Sequence, residues 1–371
     1  MYLKDLVDIQ MGQSPDSKFY NYDKIGLPFY QGKADFGRIN PTPKIWCSKS
    51  KKEAKPNDIL ISVRAPVGDL NINNAQSCIG RGLAAITCKS DVDMMYLYYC
   101  LKYLKPQLKH ISTGSTFESI NRTQLENLII NYKPLSEQIK ISNILEVVQR
   151  QIEVKENLLR SYNLLIKSRF VEMFGDIDCN TKNWPIITLE ELAELITDGE
   201  HSTPKRCDKG IYLLSARNIL NHSLKLDDVD YIDEAEYDRI SKRVIPKAGD
   251  ILLSCSGSVG RCCMAPMEIK FQLVRSVALI RFKSEISPIF AEYMITSDWF
   301  QRQINSLKTA SSQANLFQGR IKKLKGFVPD MNLQYEFIKV VNQINKLKSD
   351  VQKSIDETQL LMDSLMQEYF G

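Results

Sequence analysis

The stretch that decides the fold runs from Ser136 to Gly175, SEQIKISNILEVVQRQIEVKENLLRSYNLLIKSRFVEMFG. From Ser136 to Phe174 it holds neither proline nor glycine, so no residue type in it breaks a helix. Its apolar residues fall on a heptad. Ile141, Val148 and Tyr162 take one seam position, interrupted by Lys155 and Arg169, while Leu145, Ile152, Leu159, Ile166 and Met173 fill the other. Residues 332–371, NLQYEFIKVVNQINKLKSDVQKSIDETQLLMDSLMQEYFG, keep the same phase. There Phe337, Ile344, Val351 and Leu365 occupy the first position and Val341, Ile355, Met362 and Tyr369 the second, with Lys348 and Thr358 as exceptions. At 1.5 Å per residue, a run of about 38 residues predicts a helix of about 57 Å. Such a stripe needs a long apolar partner, and the other copy's helix is the expected one; the alternative is that each stripe packs on its own globular domain.

The heptad stretch is the end of a unit that occurs twice. Residues 113–175 lie over residues 309–371 at a constant offset of 196, pairing Thr113 with Thr309, Ser115 with Ser311, Ile120 with Leu316, Leu128 with Leu324, Gln138 with Gln334, Glu172 with Glu368, Phe174 with Phe370 and Gly175 with Gly371. Upstream, Lys55-Pro56-Asn57-Asp58-Ile59-Leu60 answers Lys247-Ala248-Gly249-Asp250-Ile251-Leu252 and Val67-Gly68 answers Val259-Gly260, both at offset 192. Pro15 pairs with Pro204 at 189 and Leu3 with Leu189 at 186, the drift that loop-length changes leave between related domains. A period near 190 far exceeds the roughly 20 to 50 residues of a solenoid repeat, so the chain is a tandem pair of domains.

Each copy opens as mixed α and β. Ile59-Leu60-Ile61-Ser62-Val63 and Ile251-Leu252-Leu253-Ser254-Cys255 read as buried strands, followed by glycine turns at Gly68 and Gly260 and second strands ending at Ile86 and Ile280. Helical stretches follow at 94–108 and 288–307. The 371 residues and 43% hydrophobic content allow two or three domains with a core in each. The longest apolar runs are strand-sized and the start lacks a signal peptide's pattern, so no membrane span and a cytoplasmic location are expected. Nine cysteines without CxxC spacing fit reduced thiols, and His110, His201 and His222 are too scattered for a metal cluster.

Enzymatic motifs are not found. Gly80-Arg81-Gly82 is the nearest approach to a phosphate loop and is not reproduced in the second copy. Asn40-Pro41-Thr42-Pro43 lacks the aromatic residue and adjacent prolines of an adenine methyltransferase and reads as a turn. Asp16, Glu53 and Lys55 only loosely fit nuclease chemistry, and His201 reads as a loop residue. No catalytic residue and no metal ligand is therefore assigned.

The ordered set of segments, present twice, resembles the specificity subunits of Type I restriction-modification enzymes over essentially the whole chain. The likeness rests on an opening Leu-x-x-Leu/Ala segment leading to a glycine turn that closes on Ser/Thr-Pro (Leu3 to Pro15; Leu189 to Pro204), the Gly-Asp-Ile-Leu-like strand (Asn57 to Leu60; Gly249 to Leu252), a Ser-x-x-Gly-like turn, a Thr-x-Ser segment, and the entries Pro134-Leu135-Ser136-Glu137-Gln138 and Pro329 to Gln334. Ala310 in place of Gly114 and the lack of a run before the first domain are the departures. The resemblance implies an α+β fold: two pseudo-symmetric target-recognition domains at 1–134 and 176–330, each followed by a long helix, at 135–175 and 331–371, with the helices paired as an antiparallel coiled coil. It further implies a non-catalytic adaptor that reads a split sequence in double-stranded DNA, one domain per half-site, and recruits two methylation subunits and, in the full complex, restriction subunits. S-adenosylmethionine, ATP and magnesium would then belong to those partners.

Arginine reads guanine bidentately and lysine neutralises phosphate. On that chemistry the candidates for DNA contact are Lys33, Arg38, Arg64 and Arg81 in the first domain and Lys205, Arg206, Arg217, Asn218, Arg261 and Arg275 in the second, each weighed against a solvated surface role. Two other readings remain open, an adaptor of a differently organised restriction system and a coiled-coil scaffold that never binds DNA. The net charge of +5 permits a basic surface without locating it.

Overall fold

In the computed structural model the run Ile59–Ser62 is a strand with every residue buried. It pairs antiparallel inside a four-stranded sheet in the order Val7–Met11, Leu83–Cys88, Ile59–Ser62, Leu70–Ile72. The two-residue period of a strand explains the unbroken apolar run. Ile59 and Ile61 point into a core with Tyr96, Leu97 and Leu101 of helix Met94–Tyr103. Leu60 points the other way and, with Leu83 and Ala85 of its own sheet, packs on Tyr30 and Ile79 of a second sheet. That sheet has the order Tyr20–Asn21, Ile45–Cys47, Leu27–Tyr30, Ser77–Ile79, Glu53–Ala54, and pairs Leu27–Tyr30 with Ser77–Ile79 in parallel.

The structure describes residues 1–113, 118–307 and 315–371, so the matched positions Gly114, Ser115, Thr309, Ala310 and Ser311 lie outside the described residues. The chain divides into two units, Met1–Asn157 with Val351–Gly371, and Leu158–Asp350. The second unit repeats the first. Its four-stranded sheet has the order Ala193–Asp198, Val277–Phe282, Ile251–Ser254, Cys262–Met264, with Ile251 and Leu253 in the helical core and Leu252 turned to the other face. Its second sheet is shorter, Asp230–Ile232, Ile211–Leu214, Phe271–Leu273, and keeps the parallel pair. Each helical stretch expected as one piece is two: Met94–Tyr103 then Lys105–Ile111, where Pro106 opens the second helix, and Pro288–Thr296 then Asp298–Leu307, where the Ser297 hydroxyl receives the Phe300 amide at 3.3 Å.

The long helices run Leu135–Phe174 and Met331–Phe370. In the first unit, Ile141, Leu145, Val148 and Ile152 share one core with Met362, Met366 and Phe370, and Ile355 and Leu365 pack against it. Lys155 Nζ donates to Ser354 O at 3.1 Å and Thr358 Oγ1 at 2.6 Å. In the second unit Ile166 lies with Phe337, Val341 and Ile344 and Tyr162 packs alongside; Lys348 Nζ donates to Asn163 Oδ1 at 2.7 Å. Within each unit the segments therefore run antiparallel. The same cores include residues of the globular part, so the stripe meets both a helix partner and its own lobe. Leu159 and Val351 are half-buried.

Thr358, the polar exception in the second stripe, is 8% exposed and its Oγ1 accepts a hydrogen bond from Lys155 Nζ. One seam reading needs correction. At the ends the buried residues are Phe170 and Phe174, and Met366 and Phe370, with Met173 only half-buried. A straight helix drifts about 20° per heptad, so the buried stripe has moved one residue off the 3.5-residue repeat by the last turns.

Gln138 and Gln334, matched in sequence, are both fully buried. Gln138 Oε1 accepts from Asp93 N at 2.9 Å and its Nε2 donates to Lys133 O at 2.7 Å and Asp91 O at 3.2 Å. Gln334 repeats this with Ser287 N, Glu285 O and Pro329 O at 2.9, 2.9 and 3.0 Å. Each amide thus ties the first turn of a long helix to the N-cap residue of a lobe helix. Gln138→Ala is expected to cost about 1–3 kcal/mol through the amide and carbonyls left unpaired, read as a lower unfolding midpoint by calorimetry, whereas Glu137→Ala beside it leaves the midpoint in place. Lys155→Met is expected to melt below the native chain, and Lys155→Glu, which sets a carboxylate against Ser354 O, lower still; native melting of Lys155→Met would show that the seam hydrogen bonds contribute nothing.

Candidate nucleic-acid interface

Loops of each unit gather at one end of its four-stranded sheet. In the first unit the turn after Val7–Met11 docks by Gly12 N to Leu83 O at 2.9 Å and Gln13 N to Ile79 O at 3.0 Å, and Gly80 N donates to Tyr30 O at 2.8 Å. The second unit has the same skeleton: Gly199 N to Val277 O at 3.0 Å, Glu200 N to Leu273 O at 2.7 Å, Val274 N to Leu214 O at 3.0 Å. Glycine is needed at the first position of each turn. A Cβ on Gly12 would lie 2.2 Å from Gly80 O, and one on Gly199 would lie 2.4 Å from Leu273 O.

Three of the four candidates in the first unit stand at this end. Arg64 follows strand Ile59–Ser62 and bridges Ser119 through its backbone, and Arg81 precedes strand Leu83–Cys88 with its amide on Ser14 Oγ at 3.2 Å. Both side chains are exposed and make no hydrogen bond or ion pair among the described residues. Lys33 Nζ lies 2.8 Å from Asp69 Oδ2, and Lys105 Nζ donates to the other oxygen at 2.5 Å. Burial pushes the Asp69 carboxyl up, but hydrogen bonds from Lys105 and Lys33 outweigh it and hold the group below its ordinary value. Arg38 goes elsewhere: its guanidinium reaches Glu153 at 3.1 Å and Glu156 at 3.5 Å on the long helix. It borders a cleft of about 110 Å³ with Tyr98, Tyr99 and Gln149.

In the second unit Arg275 takes the place of Arg81, with its amide on Glu200 O at 2.9 Å. Arg261 O accepts from Ser254 N at 2.8 Å as Asp69 O does from Ser62 N at 2.9 Å, so an exposed arginine stands where the first unit has a carboxylate. Arg206 and Arg217 share Asp230, each at 2.9 Å. Asn218 is a correction. It is 1% exposed; its Oδ1 accepts from Ser215 N at 2.9 Å and its Nδ2 donates to Lys225 O and Asp228 O at 3.0 and 2.8 Å, so the side chain is spent on holding its own loop. Lys205 is exposed, and its backbone amide donates to Glu236 Oε1 at 3.0 Å.

A model of the family described as Type I restriction modification DNA specificity domain matches residues 1–161 and again residues 181–358. The chain belongs to this family. It is 46% identical over 148 residues to the "Putative type I restriction enzyme MjaX specificity subunit" of Methanocaldococcus jannaschii, a match covering 40% of this chain and 35% of that one. To the type I restriction enzyme MjaVIII specificity subunit of the same organism it is 22% identical over 298 residues, 74% of this chain and 69% of that one. The crystal structure of a Type-I restriction-modification system S subunit from M. genitalium shares the fold, with a TM-score of 0.55 at 17% identity over 100% of this chain and 95% of that one. No described helix is long and apolar enough to cross a membrane, and among the described residues no group of three His, Cys, Asp or Glu side chains is placed to hold a metal ion.

The second specificity domain also carries a clamp that sequence reading missed. Arg239 donates to both oxygens of Glu236, Nη2 to Oε1 at 2.9 Å and Nε to Oε2 at 3.0 Å, and reaches Ser202 Oγ at 3.2 Å and Glu200 at 3.5 Å. Together they pin residues 199–205. The only sequence signal is the Glu236/Arg239 spacing of three on a helix capped by Asp233. The Arg239 hydrogen bonds hold the Glu236 carboxyl at about 2, against an ordinary 4.5. A depressed carboxyl stabilises above its unfolded value, so the clamp is fully closed above about pH 4.5 and opens as pH falls toward 2. Amide exchange of residues 199–206 is expected to rise over that window in the native chain and to be already fast and flat in Glu236→Gln; parallel profiles would remove the clamp.

Proposed function

We propose that this chain is the DNA-recognition subunit of a Type I restriction-modification complex. Each unit reads one half of a split target in double-stranded DNA, and the long helices set the spacing between the halves. The observation that carries the reading is the repetition of one backbone skeleton at one sheet end in two units that differ in the side chains they mount on it. A common skeleton that mounts Arg64 and Asp69 in one copy and Ser256 and Arg261 at the same places in the other, with Arg81 and Arg275 matched, suits two readers of different sequences. Half-sites on one face of B-DNA recur about every 34 Å, so a stiff helical element suits the role of ruler.

The subunit acts as an adaptor. Methyl transfer and cleavage, with S-adenosylmethionine, ATP and magnesium, belong to two methylation subunits and to restriction subunits, and the complex works in the cytoplasm. The first long helix supports recruitment: Ile144, Val147 and Val154 are 42%, 56% and 60% exposed at spacings of three and seven, an apolar stripe suited to a partner helix.

The test is retention of duplex DNA by the chain with its purified methylation partner. Salt-sensitive, sequence-selective binding supports the proposal, and its absence at low salt refutes it. With the target mapped from methylated adenines, Arg64→Ala is expected to weaken binding by about 1–3 kcal/mol, roughly 5- to 150-fold, and to relax discrimination in one half-site only. Arg261→Ala should do so in the other half. Equal relaxation of both halves by either variant would contradict one reader per half-site.

A further inference from the structure

The two units differ in charge at the second sheet. Between Pro15 and Asp58 the first copy carries nine Lys and Arg against five Asp and Glu; the matched stretch from Pro204 to Asp250 carries nine of each. The structure shows where the surplus sits. In the first unit the edge strand Tyr20–Asn21 and its neighbour Ile45–Cys47 are bordered by Lys18, Lys24 and Lys49, all exposed. These lysines lean on rings: Lys18 and Lys49 lie 5.2 and 5.7 Å from Phe19, and Lys24 lies 5.9 Å from Trp46. None of the three has a carboxylate within ion-pair distance among the described residues, and Lys51 beside them reaches Asp16 only at 3.5 Å. In the second unit the edge strand Asp230–Ile232 is acidic and four nearby cations are paired, Arg206 and Arg217 with Asp230, Lys270 with Glu234 at 2.5 Å and Lys225 with Asp227 at 3.7 Å, while Lys205 and Lys209 are exposed without an ion pair among the described residues and without a ring beneath them.

We infer that the lysine-bordered edge of the first unit, Lys18, Lys24 and Lys49 on their aromatic supports, is a sequence-independent grip on the phosphates of duplex DNA that the second unit lacks. The inference rests on the DNA-recognition reading above and adds a division of labour to it: the first unit supplies more of the salt-dependent affinity, and the second depends more on its specific contacts. Lysine is a mobile point charge suited to phosphate, and a ring beneath its stem restrains the stem without neutralising the ammonium. The bland role for such lysines is to keep an edge strand from pairing with another chain. Any charge serves that purpose, whereas only a cation grips phosphate.

The experiment measures binding of the full chain, with its methylation partner, to a cognate 40-base-pair duplex across a salt series. Lys18→Gln, Lys24→Gln and Lys49→Gln together are expected to reduce the slope of log K against log salt by about 0.9 per lost phosphate contact, up to about 2.7. Cognate and scrambled duplexes should lose affinity by the same factor, leaving the selectivity ratio unchanged. The three lysines changed to Glu keep the edge charged and so monodisperse, yet should bind more weakly still. Lys225→Gln with Lys270→Gln in the second unit should leave the slope as it was. A native slope in the first triple variant, or native affinity in the Glu triple, overturns the grip while leaving the DNA-recognition reading intact. Failure of the unmodified chain to bind duplex at low salt would instead strike that reading itself.

Discussion

A forty-residue helix with an apolar stripe cannot lie in water by itself, and everything else in this chain is arranged around burying two of them. Each unit solves the problem in the same way. One helical segment lies against an antiparallel segment of the other helix, and both close onto the open face of a four-stranded sheet and its helices. The stripe is therefore common property of seam and lobe. The buried amides of Gln138 and Gln334 complete the arrangement, because three hydrogen bonds from one side chain fix the angle at which a helix leaves its lobe.

In the loops at the end of each four-stranded sheet, shape is carried by backbone and chemistry by side chains. Gly12 and Gly199 let a carbonyl approach closer than any Cβ permits, and the amide hydrogen bonds around them coincide in the two units. With the loop held by its own main chain, the residues mounted on it are free to differ. Asp69 answers to Arg261 and Arg64 to Ser256, as the paired bridges Arg64 to Ser119 and Ser256 to Asn315 show. A reader built this way changes its target without changing its fold.

The duplication, the α+β class, the buried central strands and the two long helices were legible because each leaves a period: the constant offset, the double-faced apolar run, the heptad. The breaks at Leu104 and Ser297 were not, since a single capping residue between apolar stretches has no period. Nor was the shift from Arg169 and Met173 to Phe170 and Phe174, which comes from slow drift of an α-helix against a strict heptad. Among the candidate site residues, composition could place Arg64, Arg81, Arg261 and Arg275 in loops. It could not separate them from Arg38, which turns to Glu153, or from Asn218, which is buried in its own loop. Those outcomes depend on partners distant in sequence. The Glu236 and Arg239 clamp escaped for the same reason, its effect being felt more than thirty residues away.

The polar interruptions of the seam specify the pairing. Lys155 finds acceptors at Ser354 and Thr358, and Lys348 finds one at Asn163. At the repeat offset, the residues equivalent to Ser354 and Thr358 are Leu158 and Tyr162. An antiparallel pair made from two copies of the first helix would therefore keep a backbone carbonyl at Leu158 but set the bulky Leu158 and Tyr162 side chains where Ser354 and Thr358 now leave room for the Lys155 ammonium to reach its two acceptors. Crowding a half-buried ammonium away from its acceptors is costly, so the apolar layers supply the attraction and Lys155 disfavours the wrong partner. Two helices descended from one sequence have in this way become complementary to each other and unsuited to themselves, as a single chain needs if its paired segments are to close within the molecule.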